Sequence, residues 1–253
     1  MASKVIKEKL KTIKNMTHAI NNKDLEMVKY FHKQTKKLSK INFSTATKAG
    51  DVEIVKYLHE NHCDWGTKAF HYAAENGHVD CLVYAHENGF FLLNKYVCEA
   101  AARCGQLECL RYLHDINTPW DCATSTAAAR NGHLECLRYA HENGCIFNFL
   151  TSVFAAEGGH LECLVYAHEN GCAWYEYCCQ CASVGGHIKC LMYAHENGCP
   201  WDEYTCAMAA TNGHLDCLMY AHENGCPWNK EECLSIAIKY DNAVIVNYIN
   251  SIL

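Results

Sequence analysis

The stretch Ala209–Trp228, AATNGHLDCLMYAHENGCPW, decides the fold, because near-copies of it fill most of the chain. Each copy holds a pair of small residues, a glycine followed by histidine, an apolar segment, a second glycine twelve residues after the first, and then an aromatic residue. Anchored on the first glycine, Gly50, Gly77, Gly105, Gly132, Gly159, Gly186 and Gly213 recur at intervals of 27 residues, once 28. Lys23 stands at the corresponding place upstream and Asp241 downstream, so the chain reads as nine copies with two worn ends. A period of this kind marks units that stack into one continuous core, and a single elongated domain is expected rather than separate globules.

Within a copy the apolar residues follow a helical period: Leu215, Leu218, Tyr220, Ala221 and His222 form a broad stripe, with Asp216 and Glu223 off it. Gly225 then suits a C-terminal cap, since glycine enters the left-handed conformation without steric cost. Glu135, Glu162 and Asp216 fall in the first turn, where carboxylates complement the helix dipole. A second helix begins after the aromatic position, where Asp121, Asn148, Asp202 and Asn229 are good N-caps, and it ends at the first glycine. Its tail is rich in small residues, as in Ala127–Ala129, which lets neighbouring backbones approach. The spacing predicts a short helix, a tight turn, a longer helix and a loop of about five residues.

Hydrophobic residues make up 50% of the chain and charged residues 20%, enough apolar surface for a core and too much for disorder. No apolar run reaches the roughly 18 residues of a membrane span, and the N-terminus MASKVIKEKLKTIKN has no apolar signal-like core. A soluble, intracellular, cytoplasmic protein with no membrane association is expected. The net charge of -6 is uneven: residues 1–40 hold 11 of the 22 basic residues and three acidic ones, leaving 11 basic against 25 acidic, or -14, in residues 41–253. So acidic a body is unsuited to nucleic acid, whose phosphates need Lys and Arg. In the basic end the lysines fall among Val5, Ile6, Leu10 and Ile13 at helical spacing, which reads as residues 1–16 forming a solvated capping helix before an array over residues 17–253. Attraction to an acidic partner or anionic surface is the other reading of those lysines.

The unit AAxNGHLE, an apolar helix and ENG resembles the core of the ankyrin repeat, over about residues 17–250. The period is six residues short of the usual 33, and the deficit falls where the β-turn finger projects. The resemblance therefore implies an all-α helical-repeat solenoid, ankyrin-like, of short helix-turn-helix units with reduced or absent fingers. Leucine-rich repeats share the length, but their LxxLxLxxN strand signature is absent. The CLxYAHENGCPW variant is similar to the short ankyrin-like repeats of giant amoeba-infecting viruses and some protists.

Nineteen cysteines in a small chain raise the question of a disulfide framework, but six (Cys81, Cys109, Cys136, Cys163, Cys190, Cys217) recur four residues after the first glycine, and five (Cys63, Cys145, Cys172, Cys199, Cys226) follow the second glycine or its counterpart His62. Repetition points each column one way, as for reduced core thiols in a cytosolic protein. His78, His133, His160, His187 and His214 share helix faces with the first column, but a zinc site needs four convergent ligands at about 2 Å, and these pairs are spread a whole repeat apart. The resemblance gives those histidines backbone hydrogen bonds and makes the cysteines stand-ins for a core valine. Metal binding, at the dense Cys178, Cys179 and Cys181 if anywhere, is the alternative. No cofactor is expected: HENG does not complete HExxH, and neither a P-loop nor a dinucleotide fingerprint occurs. No thiol is singled out as a nucleophile, so no enzyme activity is expected.

Trp65, Trp120, Trp174, Trp201 and Trp228, with Phe147, lie fifteen residues after their glycines and read as packing anchors. The variable residues follow immediately: Asp121-Cys122-Ala123, Asn148-Phe149-Leu150, Tyr175-Glu176-Tyr177, Asp202-Glu203-Tyr204 and Asn229-Lys230-Glu231. A fixed scaffold with variable loop positions is how solenoids present a partner surface. The expected function is a monomeric protein-protein interaction scaffold, binding a protein, a host protein if the viral likeness holds, through its concave face and loops. Tyr175, Glu176, Tyr177, Asp202, Glu203, Tyr204, Asn229 and Lys230 are the candidate contacts. Some viral ankyrin-like proteins are thought to be ubiquitin-machinery adaptors through an appended F-box; no such box is recognisable, so that role would be indirect.

Overall fold

The computed structural model describes residues 4–66, 68–90 and 94–252. Of the proposed cap, residues 1–3 lie outside the described residues, as does residue 253 of the array. Among the described residues the secondary structure is entirely helical. The chain divides into two units, Met1–Pro119 and Trp120–Leu253, where one continuous domain was expected.

In the first unit, α1 (Lys4–Lys9) precedes four helix pairs: α2 (Met16–Asn21) with α3 (Leu25–Thr35), α4 (Lys40–Ala49) with α5 (Val52–Glu60), α6 (Ala69–Glu75) with α7 (Val79–Glu87), and α8 (Lys95–Arg103) with α9 (Leu107–Asp115). Ile6 and Ile13 are buried, and Lys9 bridges Asp24 and Glu26, each at 2.8 Å. In the second unit the pairs are α10 (Cys122–Arg130) with α11 (Leu134–Glu142), α12 (Phe149–Glu157) with α13 (Leu161–Glu169), α14 (Tyr177–Gly185) with α15 (Ile188–Glu196), α16 (Glu203–Asn212) with α17 (Leu215–Glu223), and α18 (Lys230–Lys239) with α19 (Ala243–Ser251). Each unit is a helical-repeat solenoid.

Within each unit the first helix of a pair packs closely on the first helix of the next pair, whereas the second helices touch their counterparts more sparsely. Side-chain size explains the difference: Ala128, Ala129, Ala155, Ala156, Ala209 and Ala210 are buried at the close contact and let backbones approach. The expected short and longer helices occur in α2 and α3, with six and eleven residues, and in α6 and α7, with seven and nine, whereas α10 and α11 are equal at nine each. With no finger to accommodate, the chain enters the first helix within six residues of the second, as in 143–148.

Two features lock each turn. Gly186 sits at φ 72°, and a Cβ there would lie 2.4 Å from the His214 ring of the next pair. Glycine is therefore required both by the left-handed backbone and by the ring packed on it. That imidazole reaches on to the carbonyl of Val184, Nε2 to O 3.1 Å, and His78 does the same to Lys48 at 3.0 Å. The backbone role that the resemblance implies for these histidines is the one seen.

Candidate interaction surface

The cysteines after the first glycine, Cys81, Cys136, Cys163, Cys190 and Cys217, are buried. Burial pushes the thiols up, Cys136 and Cys190 to about 11 and Cys81, Cys163 and Cys217 to about 12. They are therefore neutral and inert at ordinary pH. The column after the second glycine does more than fill space. The Cys145 thiol donates to the Asp121 carbonyl at 3.1 Å, Cys172 to Asn148 at 3.2 Å and Cys226 to Asp202 at 3.2 Å, tying each loop to the start of the preceding first helix. Cys178 and Cys179 are buried and Cys181 half-buried, with the Cys178 Sγ 3.5 Å from Ser152 Oγ. Among the described residues no three His, Cys, Asp or Glu side chains group in a way that could hold a metal ion.

The tryptophan column joins a ladder that the repeat pattern alone did not reveal. Within each unit, histidines near the ends of second helices share a hydrogen bond from Nδ1 with a tyrosine hydroxyl of the next pair: His59 with Tyr84 at 2.9 Å in the first unit, and His168 with Tyr193 at 3.0 Å and His195 with Tyr220 at 2.9 Å in the second. Trp174 stacks on His168 with centroids 4.3 Å apart, and Trp201 on His195 at 3.7 Å. Partial burial raises the Tyr193 and Tyr220 phenols. The signal was present as the YAH triplet, whose tyrosine and histidine lie 25 residues from their partners, but only stacking brings the pairs together.

Of the eight candidate contacts, five are exposed and not spent on structure. Tyr175, Tyr177, Tyr204, Glu176 and Glu203 face solvent, Tyr204 at 54%. Tyr175 lies against exposed Phe149 with ring centroids 4.7 Å apart, and against Tyr177 at 5.0 Å. The other three have structural duties. Asp202 accepts from the Tyr204 amide at 3.1 Å and from Gln180 Nε2 at 3.0 Å, and Asn229 accepts from the Glu232 amide at 3.0 Å. Lys230 donates from Nζ to the Ile252 carbonyl at 2.9 Å. Asn148, though placed at an N-cap, makes no capping hydrogen bond; its Oδ1 accepts from Thr126 at 3.2 Å.

A second surface, not foreseen from the repeat pattern, lies in the first unit. A groove of about 790 Å³ runs along α4 with Lys23, Lys40, Lys48 and Lys68 on its walls. The units differ in charge accordingly: Met1–Pro119 has 17 basic and 13 acidic residues, net +4, and Trp120–Leu253 has 5 and 15, net -10.

Residues 16–119 match the family model of ankyrin repeats, three copies. The fold is an ankyrin-like helical solenoid. No curated protein matches the chain. Among solved structures it is similar to the crystal structure of the human ASB11 ankyrin repeat domain, with a TM-score of 0.54 and 16% identity over 62% of this chain and 84% of that one. At that identity the likeness is one of fold. Ankyrin-like repeats generally mediate protein-protein interaction, and among the described residues no helix is long and apolar enough to cross a membrane.

Proposed function

We propose that this protein is a monomeric, non-enzymatic interaction scaffold whose second unit presents Phe149, Tyr175, Tyr177 and Tyr204, with Glu176 and Glu203, to a protein partner. The observation that carries this reading is the exposed Phe149-Tyr175-Tyr177 ring cluster. Aromatic rings are strong anchors at interfaces, and although the Tyr175 carbonyl accepts from the Cys199 thiol at 3.5 Å, the rings of these three stand outside the glycine, histidine and cysteine contacts that hold the repeats. Aromatic faces beside carboxylates favour a partner segment bearing Arg or Lys, through ion pairing and cation–π contact. The similarity of CLxYAHENGCPW to giant-virus repeats supports a host cytoplasmic protein as that partner, and the apolar spacing of Val5, Ile6, Leu10 and Ile13 supports residues 1–16 as the cap of the array.

The test is a photo-crosslinking residue at position 177, with the captured protein identified and its affinity remeasured on Tyr175→Ala/Tyr177→Ala and Glu203→Ala variants. Loss of at least about tenfold in affinity for the double variant is expected, in line with truncating interface anchors. Undiminished binding by both variants would sink this surface. Asp202 is left intact because its loss would uncap α16 and confound binding with stability.

A further inference from the structure

The groove in the first unit is built largely on one face of α4. Lys40 and Lys48 are eight residues apart on that helix, about 12 Å at 1.5 Å per residue, and Ile41, which follows Lys40, also lines the groove. Lys23 enters from the turn after α2 and Lys68 from the residue before α6, so lysines scattered over three helix pairs converge on one channel. No Asp or Glu lines it. Elsewhere in the unit Lys9 pairs with Asp24 and Glu26, Lys11 with Glu8 and Lys56 with Glu53, while Lys33 and Lys37 lie exposed without an ion pair among the described residues. Among the described residues none of the four groove lysines forms an ion pair. What sets the four apart is their convergence on one channel without a carboxylate among its described lining residues; the Lys48 ammonium there lies 6.0 Å from the Tyr72 ring centroid.

Ile41 is 68% exposed, and Tyr72 also lines the channel. A strand extends about 3.3 Å per residue, so carboxylates three to four residues apart would meet Lys40 and Lys48 together. One phosphate is too small to touch both. A nucleic-acid backbone would leave the apolar floor without a partner, and no arginine lines the groove for paired phosphate contacts.

We propose that this groove docks an extended acidic segment of a partner protein, with carboxylates on Lys40 and Lys48 at its two ends and an apolar side chain between them on Ile41 and Tyr72. The inference rests on the reading of the chain as an interaction scaffold, but uses a surface, and a partner charge, opposite to those of the aromatic cluster. Lys23 and Lys68 extend the recognition beyond the central contact.

The probe is a fluorescein-labelled peptide with Glu residues flanking a single Leu, titrated into the full chain by anisotropy at low and moderate salt. Expected are saturable binding that weakens steeply with salt, a loss of at least about tenfold in Lys40→Glu/Lys48→Glu, and a smaller loss in Ile41→Ser. Lys189→Glu/Lys239→Glu makes the same change in net charge on exposed residues of the second unit and should leave affinity within about twofold, since screening confines the effect of an exposed charge to about a Debye length. Helix content by circular dichroism checks each fold, and Lys40→Gln/Lys48→Gln replaces the reversal if that variant unfolds. Equal loss in the two double variants, absence of peptide binding, tighter groove-dependent binding of an oligonucleotide of equal charge, or lysine-dependent self-association in sedimentation would each overturn the proposal. Those failures would leave the photo-crosslinking result at residue 177 untouched, so the two readings fail separately.

Discussion

The two units share one backbone grammar and present opposite surfaces. In Met1–Pro119 a groove along α4 gathers four lysines that form no ion pair among the described residues, whereas in Trp120–Leu253 the starts of α12, α14 and α16 display Phe149, Tyr177 and Tyr204 with Glu176 and Glu203. The first unit also tolerates wear. Lys23, Lys36, His62 and Asn117 take the left-handed conformation there, while in the second unit Asp241 is the non-glycine residue with positive φ among those described. The difference teaches where selection on surface can act. Turn glycines, ring-on-glycine contacts and buried thiols hold the stack, and residues at the first turn of each first helix and on its outward face are released from that duty.

The largest expected effect tests the turns. Gly186→Val sets a side chain into the His214 ring at positive φ and should cost about 3 kcal/mol or more in chemical denaturation. Lys23→Gly at the worn counterpart should be neutral or stabilise by up to about 1 kcal/mol. A penalty at residue 186 under about 1 kcal/mol would remove the distinction between locked and worn copies.

Alkaline pH should separate the units next. Because folding raises the buried thiols from 9.0 to about 11 or 12, their contribution is complete below pH 9 and lost as pH rises toward those values. Cys136, Cys163, Cys190 and Cys217 fill this position in four of the five pairs of the second unit, whereas in the first Cys81, also raised to about 12, and Cys109 fill it in two of four pairs and Met27 and Ile54 in the others, so the contrast is one of number. Tyrosines shift upward in both units, so they do not create the contrast. Hydrogen exchange pulsed at pH 7 and pH 10 should show protection falling first in 120–253, and Cys163→Val/Cys217→Val should restore it. Equal loss in both units would contradict the thiol account.

The ladder predicts sameness instead. Tyr193→Phe and Tyr84→Phe each delete one histidine contact and should each lower stability by about 1 kcal/mol. A large disparity would mean that the units are not held alike. Smallest of all, Tyr177→Ala and Lys48→Gln should both stay within about 0.5 kcal/mol of the parent by thermal melting, since both side chains are exposed. A larger change in either would show that its surface serves the fold.

The period, the helix pairs, the glycine turns and the burial of both cysteine columns were legible in the chain, because each is a local or strictly repeating property. Gly186, His187 and Cys190 recur as Gly213, His214 and Cys217, and recurrence identifies the stacking direction without knowledge of the contacts. The candidate surface was legible only in part. Variation between copies picked out Tyr175, Tyr177 and Tyr204, but it could not distinguish them from Asp202, Asn229 and Lys230, whose side chains are spent on helix ends. Lys23, Lys40, Lys48 and Lys68 follow no repeat and carry no motif, and the His168–Tyr193 bond spans 25 residues. Tertiary structure alone decided these, because convergence depends on how one helix pair is set against the next, and that setting brings together side chains that the period keeps apart.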